Sequence, residues 1–339
     1  MFQIIYLWTS PAENCNPQKH SLFLIGLRKG NSKWILDTVA CDYSGLRNRV
    51  VMDMFNNYSK LPYTTNYNGR CGTVGCFVEL WLNDTYQGYY CLSDRINRKL
   101  LGLGKEKKGE VVGTLYKCGA HGPWSFFQPY ESKPTGDEDE WNKWELSYPN
   151  NPSAEAWEPL LSIFDTPWDE ITDEEYLNTI KQHFYWDNLV DVYLLSMVTR
   201  TGDFGFKDCY LACPNFKADQ RLVVIPWDLD TTFGSTWNGM YWKQLTTLRG
   251  ISNFQFAHPY KRLIENPDFG FFTAVANRWL ELKDNVLSVA TISQIIDNYA
   301  SQLDDSGAWQ RNREVWNYNP ITISSTAKEP AEWMINWYA

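Results

Sequence analysis

The sequence predicts an α+β fold in which a strand-rich first part precedes a mostly helical second part. Up to about residue 118, short apolar runs such as "CFVELWLND" and "QGYYCLSDRI" alternate with polar residues and turn residues. After about residue 156, long runs such as "YWDNLVDVYLLSMVTR" have helical spacing. The 339 residues are 44% hydrophobic and 21% charged, which is ordinary globular composition, so the chain is expected to fold.

The first part is predicted to contain two hairpins, one helix and a further strand. "SLFLIGLRKGNSKWILDTVA" has two apolar runs around a turn cluster, and "NDTYQG" joins two more strands. Between them, "DYSGLRNRVVMDMF" has helical spacing, with Ser44 available as a cap. Because Arg47 and Arg49 near its start oppose the helix dipole, a negative group is expected beside them. "EVVGTLYKC" adds the last strand.

We expect a single domain over 1–339, made of a β-rich part (1–118), an insertion or linker (119–155) and a helical part (156–339). The middle segment is rich in Gly, Pro and acids. In the helical part, "TDEEYLNTIKQHF" begins with a Thr cap and an acidic first turn, and the next helix is apolar on nearly all sides, which predicts a buried helix. Two strands follow, and then two or three amphipathic helices.

Composition excludes several classes of function. The net charge of -9 and the lack of a long Lys or Arg block argue against a nucleic-acid partner. Neither a signal peptide nor an 18-residue apolar span is visible, so no leader or membrane segment is predicted. The 8 cysteines and 4 histidines lack the spacing of a structural zinc site, and the redox state of the cysteines stays open. No GxSxG motif is present, which disfavours an acyl-transfer triad.

Aspartates stand at both ends of the strand pair in the helical part. Asp203 and Asp208 precede the strand "CYLAC", and Asp228 and Asp230 follow the apolar strand "RLVVIPW". One interpretation is a set of turns, since Asp is common where strands end. The other is a metal site for phosphates, because this order of oxygen ligands around a hairpin is how protein kinases arrange their catalytic loop and magnesium-binding turn. In that arrangement one carboxylate takes the proton of the acceptor hydroxyl, and the others hold magnesium.

Five blocks in order carry a resemblance to a known family: "KWILDTVACDYSGLRNRVVMDMF", "FVELWLNDTYQGYYCLSDRI", "TGDFGFKD", "IPWDLDTTFG" and "RLIENPDFGFFTAVANRWLEL". They resemble the CotH family, the spore-coat-protein-H-like atypical kinases, from about residue 18 onwards. The resemblance implies an atypical protein-kinase-like two-lobed fold, with a small, mostly β N-terminal lobe and a mostly helical C-terminal lobe. It also implies that the protein binds ATP and Mg²⁺ and phosphorylates Ser or Thr of a spore-coat, cell-surface or secreted protein. We expect a monomer.

The resemblance also assigns roles to the aspartates. Asp203 resembles the catalytic base, and Asp228 resembles the metal aspartate of a DFG-type turn, with Asp230 as a second candidate for that role. Asp208 stands where the family usually has Asn, and an aspartate can also ligate Mg²⁺.

The cations that would hold phosphates are less well defined, since neither a GxGxxG loop nor a VAIK-like lysine is present. Arg47, Arg49 and Lys117 are the candidates, because a site with several phosphates and carboxylates needs positive charge. Each of the three also fits a salt bridge or a surface position. Asp94 stands where the resemblance implies an acidic residue, which would pair with such a cation or simply end a strand.

Two other functions stay open at this point. A nucleotide-binding pseudokinase that acts as an interaction scaffold is favoured by Asp208 in the place of Asn and by the short segment before the first matching block. A carbohydrate-active protein would also use paired carboxylates and exposed Trp residues. The ordered block match argues against this third function.

Overall fold

The computed structural model describes most of the chain and contains two β-sheets and nine α-helices within the described residues, which confirms the α+β class. The described residues are 3–7 (backbone), 33–63, 69–107, 109–119, 130–201, 207–236, 260–316 and 325–339. The strand predicted before the "RKGNS" turn lies outside these ranges.

The first sheet has four strands, in the order β1 (Gln3–Leu7), β3 (Gly75–Leu82), β4 (Thr85–Asp94) and β2 (Trp34–Asp37). β1 pairs with β3 in parallel, and the other pairs are antiparallel. Asn83 and Asp84 turn the β3–β4 hairpin with φ of 48° and 62°. Positive φ at both central residues is the geometry of the tight turns that fit the twist of paired strands, and the predicted hairpin is confirmed.

The second sheet has five antiparallel strands, in the order β6 (Glu140–Trp141), β7 (Trp144–Tyr148), β5 (Thr114–Cys118), β8 (Cys209–Cys213) and β9 (Val223–Pro226). β5 ends the predicted β-rich part, yet it pairs with β8. The segment 119–155 supplies β6 and β7 to the same sheet. Alternating hydrophobicity identifies a strand but not its partner, so the sequence did not predict which strands share this sheet.

The helices follow the predicted pattern where it was strongest. Thr172 caps α3 and forms a capping box with Glu175, and α4 is buried on nearly all sides, both as predicted. Among the helices of the described residues, none combines the length and the apolar character needed to cross a membrane. The helices are α1 (Arg47–Tyr58), α2 (Ala154–Phe164), α3 (Asp173–His183), α4 (Trp186–Thr199), α5 (Tyr260–Glu265), α6 (Phe271–Leu282), α7 (Val289–Asp305), α8 (Ala308–Val315) and α9 (Lys328–Tyr338).

Two helices of the C-terminal part pack against the N-terminal sheet and α1. Arg311 of α8 donates two hydrogen bonds of 2.8 Å to the carboxylate of Glu79 in β3. The Tyr299 hydroxyl of α7 donates to Asp53 in α1 at 2.5 Å. These contacts join the predicted β-rich part to the predicted helical part.

Two hydrophobic cores pack against the second sheet, and a cavity lies beside the end of that sheet. The main core joins α1, α2 and α4 to one face of the second sheet, and a smaller core joins the other face to residues 96–103. A cavity of about 320 Å³ opens between β2, β4, the start of α1 and the end of β9.

His183 at the end of α3 generates a prediction on stability and pH. Burial lowers its pKa to about 4, and its Nε2 lies 3.1 Å from Thr166 Oγ1. In the unfolded chain the ring has a pKa of about 6.5, so below that pH the unfolded state binds a proton that the native state does not. The stabilisation is therefore complete above about pH 6.5, and up to about 3 kcal/mol of it is lost as pH falls towards 4.

Urea unfolding of the wild type and of His183→Gln at pH 7, 5.5 and 4.5 measures this contribution. The two proteins have the same carboxylates, so the effect of those groups on stability cancels in the comparison. The difference in the free energy of unfolding between the two proteins should therefore change with pH because of the His183 ring. Parallel pH profiles would show that the native ring is protonated as easily as the unfolded one.

Candidate functional site

The β8–β9 hairpin brings Asp208 and Asp228 to one end of the second sheet. Asp208 directly precedes β8, and Asp228 stands two residues after Pro226, the last residue of β9. The Trp227 amide donates to the carbonyl oxygen of Asp208 at 2.8 Å, which continues the strand ladder by one step. Asp228 is exposed, Asp230 is half-buried and Asp208 is buried. Asp203 lies outside the described residues.

Both hairpin aspartates have an uncommon backbone conformation. The φ angles of Asp208 and Asp228 are 57° and 55°, in the left-handed region that a Cβ atom disfavours and that Asp tolerates better than most residues. Such conformations persist where the surrounding structure holds them, and they concentrate at functional sites. The ladder between the strands holds the hairpin on one side.

The first turn of α1 holds the chain after Asp228 on the other side. Asn48 accepts a hydrogen bond from the Leu229 amide and donates one to Asp37 Oδ2, both at 3.2 Å. Arg47 Nε donates to the carbonyl oxygen of Thr232 at 2.9 Å. α1 therefore fixes the turn formed by residues 228–232. Sequence reasoning missed Asn48, because nothing in the local pattern distinguishes it from a solvated helix residue.

Arg47 takes the salt-bridge role that the sequence left open for it. Its side chain is fully buried and forms an ion pair with Asp42, whose Oδ2 also accepts from the Arg47 amide at 2.7 Å. Asp42 is therefore the negative group that the helix start was predicted to need, and that prediction is confirmed. The guanidinium also lies over the Trp333 ring, 5.3 Å from its centroid. Ser44 contributes as well, by accepting from Arg47 Nη1 at 3.0 Å.

Arg49 and Asp228 lie on the wall of the same cavity. Arg49 Nη2 donates to Asp53 at 2.6 Å and to the carbonyl oxygen of Thr73 at 2.7 Å. Its buried Nε has no hydrogen-bond partner within the described part of the chain. Burial is the largest single effect and lowers the pKa of Arg49. The charge and hydrogen bond of Asp53, together with smaller effects of Cys91 and Tyr299, outweigh it, so the pKa is raised and the guanidinium stays charged. The cavity thus has one buried cation on its wall.

The other two candidates, Lys117 and Asp94, do not line this cavity. Lys117 lies in β5 opposite Tyr210, whose ring packs edge-to-face on Trp227 with centroids 5.8 Å apart. Asp94 is buried at the end of β4, and its neighbour Ser93 lines the cavity. Because successive side chains of a strand point to opposite faces, Asp94 lies on the face away from the cavity.

Negative charge is concentrated beside the turn. Desolvation and the charges of Asp230, Asp228, Asp37 and Asp42 together raise the pKa of the Cys41 thiol, so all four carboxylates act electrostatically on this one side chain. No group of three His, Cys, Asp or Glu side chains in the described ranges could hold a metal ion by itself. Magnesium that binds with a nucleotide needs just one or two carboxylates, since phosphates and water complete its shell. The exposed carboxylate of Asp228, on the cavity wall, fits that kind of site, whereas Asp208 is buried and does not line the cavity.

The C-terminal helix covers the end of the same turn. Gly234 has φ of 76°, and a Cβ atom there would lie 2.5 Å from Trp337 Nε1, so this position requires glycine. Phe233 packs edge-to-face against Tyr338. Nothing in the sequence indicated this contact, because about a hundred residues separate its two sides.

The Arg47–Asp42 pair generates a prediction on stability. Arg47→Met should lower the free energy of unfolding by about 3–5 kcal/mol, because it leaves the Asp42 carboxylate buried without its cation. Adding Asp42→Asn should cost at least about 1 kcal/mol less than the sum of the single changes, because the two groups are coupled. Urea unfolding of the four proteins measures both effects.

Lys283→Met provides the control, because Lys283 pairs with Asp284 at the surface, where an ion pair contributes less than about 1 kcal/mol. Strict additivity at Arg47 and Asp42, or a loss no larger than that of the control, would show that the buried pair does not anchor α1.

The chain is similar to a known family over nearly its whole length. A family model described as "CotH kinase protein" matches residues 18–339. A search of the curated proteins found no match. The family match covers α1, the β8–β9 hairpin and every residue of the cavity wall described above. The chain therefore belongs to the CotH family.

Proposed function

We propose that this protein is an atypical protein kinase that transfers the γ-phosphate of ATP to Ser or Thr of a spore-coat, cell-surface or secreted protein. The observation that supports this most is that the β8–β9 hairpin carries Asp208 and Asp228 at the same end, beside a cavity with Arg49 on its wall. The membership of the chain in the CotH family also supports it. The cavity volume of about 320 Å³ is within the range of small-molecule sites, about 300–1,000 Å³.

In this proposal each group has one task. Asp203 accepts the proton of the acceptor hydroxyl as that oxygen attacks the γ-phosphorus. Asp228, with Asp208 and with Asp230 as the alternative, holds Mg²⁺, which when bound neutralises and orients the phosphates. Arg49 adds fixed positive charge for the phosphate oxygens, and burial strengthens its interaction with them.

The turn is held in place before the nucleotide arrives. Asn48 and Arg47 fix the backbone at Leu229 and Thr232, so Asp228 does not need to be ordered on binding. Positioning of this kind is most of what a protein contributes to phosphoryl transfer, since the protein itself does little covalent chemistry.

A pseudokinase is the second candidate, and one observation favours it. Asp208 replaces the usual Asn, and its carboxylate is buried, with Lys207 Nζ 3.5 Å away. A carboxylate that already faces a lysine is a weaker partner for a metal ion than a free one. In that case the protein binds a nucleotide and acts through interactions.

Phosphate transfer and nucleotide binding separate these candidates. With labelled ATP, Mg²⁺ and a protein acceptor, Asp203→Asn and Asp228→Asn should each lower the rate of transfer at least about 100-fold. Asp228→Asn should also abolish the stabilisation by ATP and Mg²⁺, which is about 2.7 kcal/mol at a hundred times the dissociation constant, whereas Asp203→Asn should keep it.

Asp268→Asn, an exposed aspartate away from the cavity, is the matched control. Stabilisation of the wild type without any label transfer would favour the pseudokinase. A wild type that neither binds ATP nor transfers label would contradict both candidates.

Arg49 generates a separate prediction on phosphate recognition. Arg49→Met should weaken ATP–Mg²⁺ binding at least about tenfold and leave adenosine binding within about twofold, because adenosine has no phosphate to lose contact with. Calorimetric titration measures both ligands. Asp53→Asn is the control, since it removes the partner of Arg49 but keeps the guanidinium. An equal loss for ATP and adenosine would mean that the change disturbs the fold rather than a phosphate contact.

A further inference from the structure

A second cavity, of about 280 Å³, lies at the other end of the same two strands. Ile35 of β2 and Ser93 of β4 are register partners, and both line the cavity that holds Arg49. Lys33, two residues before Ile35, and Arg95, two residues after Ser93, line the second cavity. Two residues of extended chain span about 7 Å. The two cavities are therefore neighbours along the edge where the first sheet faces the second.

This second cavity, the basic cavity, is lined by Lys33, Arg95, Arg98 and Lys99 together with residues that carry no charge. Within the described part of the chain, none of Lys33, Arg95 and Lys99 forms an ion pair. The whole chain has a net charge of -9, so its cations have many acids available. Four cations around one concave surface without an acidic side chain in the wall make a local field that attracts anions.

The loop that carries three of these cations is held in shape. Asn97 Oδ1 accepts from the amides of Lys99 and Leu100 at 2.9 and 3.0 Å, which closes a turn between Arg95 and Lys99. The Arg98 guanidinium lies over the Tyr148 ring, 5.9 Å from its centroid, and Nη1 donates to the carbonyl oxygen of Leu103 at 3.2 Å. An anion would therefore meet side chains that are already partly ordered, which lowers the entropy lost on binding.

We propose that the basic cavity binds a phosphomonoester dianion of the kind that a phosphorylated serine side chain carries. A double negative charge with several oxygen acceptors suits a wall with two guanidinium forks and two ammonium groups better than a single carboxylate does. The Ser147 hydroxyl in the same wall adds a neutral donor. This site needs no metal ion, in contrast to the neighbouring cavity, whose aspartates would repel the same group.

The inference goes beyond the proposed kinase activity, since it requires neither a nucleotide nor transfer. One consequence does rest on the proposed function: a protein acceptor that already carries one phosphate would be retained beside the cavity that holds Arg49 and Asp228. The preferred acceptors would then be Ser or Thr residues at a fixed distance along the acceptor chain from a serine that is already phosphorylated.

Calorimetric titration of the full chain without nucleotide tests the site. The probes are a short peptide of Gly and Ala around one phosphoserine, the same peptide with serine, and inorganic phosphate. The phosphoserine peptide should bind, the serine peptide should not, and inorganic phosphate should compete for the same site. The affinity should fall as salt is added, because the cations are partly exposed.

The variants are Arg95→Ala/Lys99→Ala and, as a control with the same change of charge, Lys105→Ala/Lys328→Ala, two exposed lysines outside the cavity wall. The first should weaken phosphopeptide binding at least about tenfold, and the control should change it less than about twofold. The single change Lys99→Ala, at an exposed position, should weaken phosphopeptide binding about threefold. This variant still tests the site if the double variant does not fold.

Three results would overturn the proposal. They are equal binding of the two peptides, equal loss in the cavity variant and the control, and competition by ATP that depends on Mg²⁺ and disappears in Asp228→Asn. The last would mean that the phosphate occupies the neighbouring cavity. A protein that binds the phosphopeptide at the basic cavity but transfers no phosphate would support this proposal and contradict the kinase activity, so the two can fail separately.

Discussion

The buried ion pair of Arg47 and Asp42 is the interaction on which the arrangement of the candidate site depends. It lets a cation stand at the start of a helix and inside the protein, two positions that would otherwise be unfavourable. Because Arg47 is fixed by Asp42, its Nε can hold the carbonyl oxygen of Thr232, and the next residue, Asn48, reaches Leu229. The position of the turn that carries Asp228 therefore depends on the Arg47–Asp42 pair.

The two neighbouring cavities differ in the charges beside them. The carboxylates of Asp37, Asp42, Asp228 and Asp230 act together on Cys41 near the cavity that holds Arg49, and the basic cavity begins about two residues beyond Ser93. This difference in electrostatic potential between the two cavities orients a ligand that has a charged part and a neutral part. A cation is favoured beside the hairpin, and an anion without a metal ion is favoured beside Arg95.

Local chemistry made much of the fold predictable from sequence. The apolar faces of α4, the Thr172 cap and the β3–β4 and β8–β9 hairpins depend on neighbours within a few residues, and each was predicted. The pairing of β5 with β8 and the packing of α8 on β3 were not, because they join residues far apart in the chain. No periodicity encodes such partners.

In the candidate site, too, sequence reasoning found residues with local signals and missed residues whose roles come from distant contacts. Motif order selected Asp208 and Asp228 as candidates, and the need for positive charge selected Arg49, which lies on the same cavity wall as Asp228. The same argument also selected Arg47 and Lys117, because charge alone does not tell which cation lies on the cavity wall. Asn48 and Trp337 were missed, since their roles come from contacts across the fold.

The central claim is that the hairpin aspartates and Asp203 meet around one cation and the phosphates of a nucleotide. A crystal structure with a non-hydrolysable ATP analogue and Mn²⁺, with the metal located by anomalous scattering, tests it most directly. The account predicts a manganese ion about 2 Å from a carboxylate oxygen of Asp228 or Asp230, with Asp203 facing the γ-phosphate. A metal ion remote from these aspartates, or a nucleotide bound away from Arg49, would contradict it.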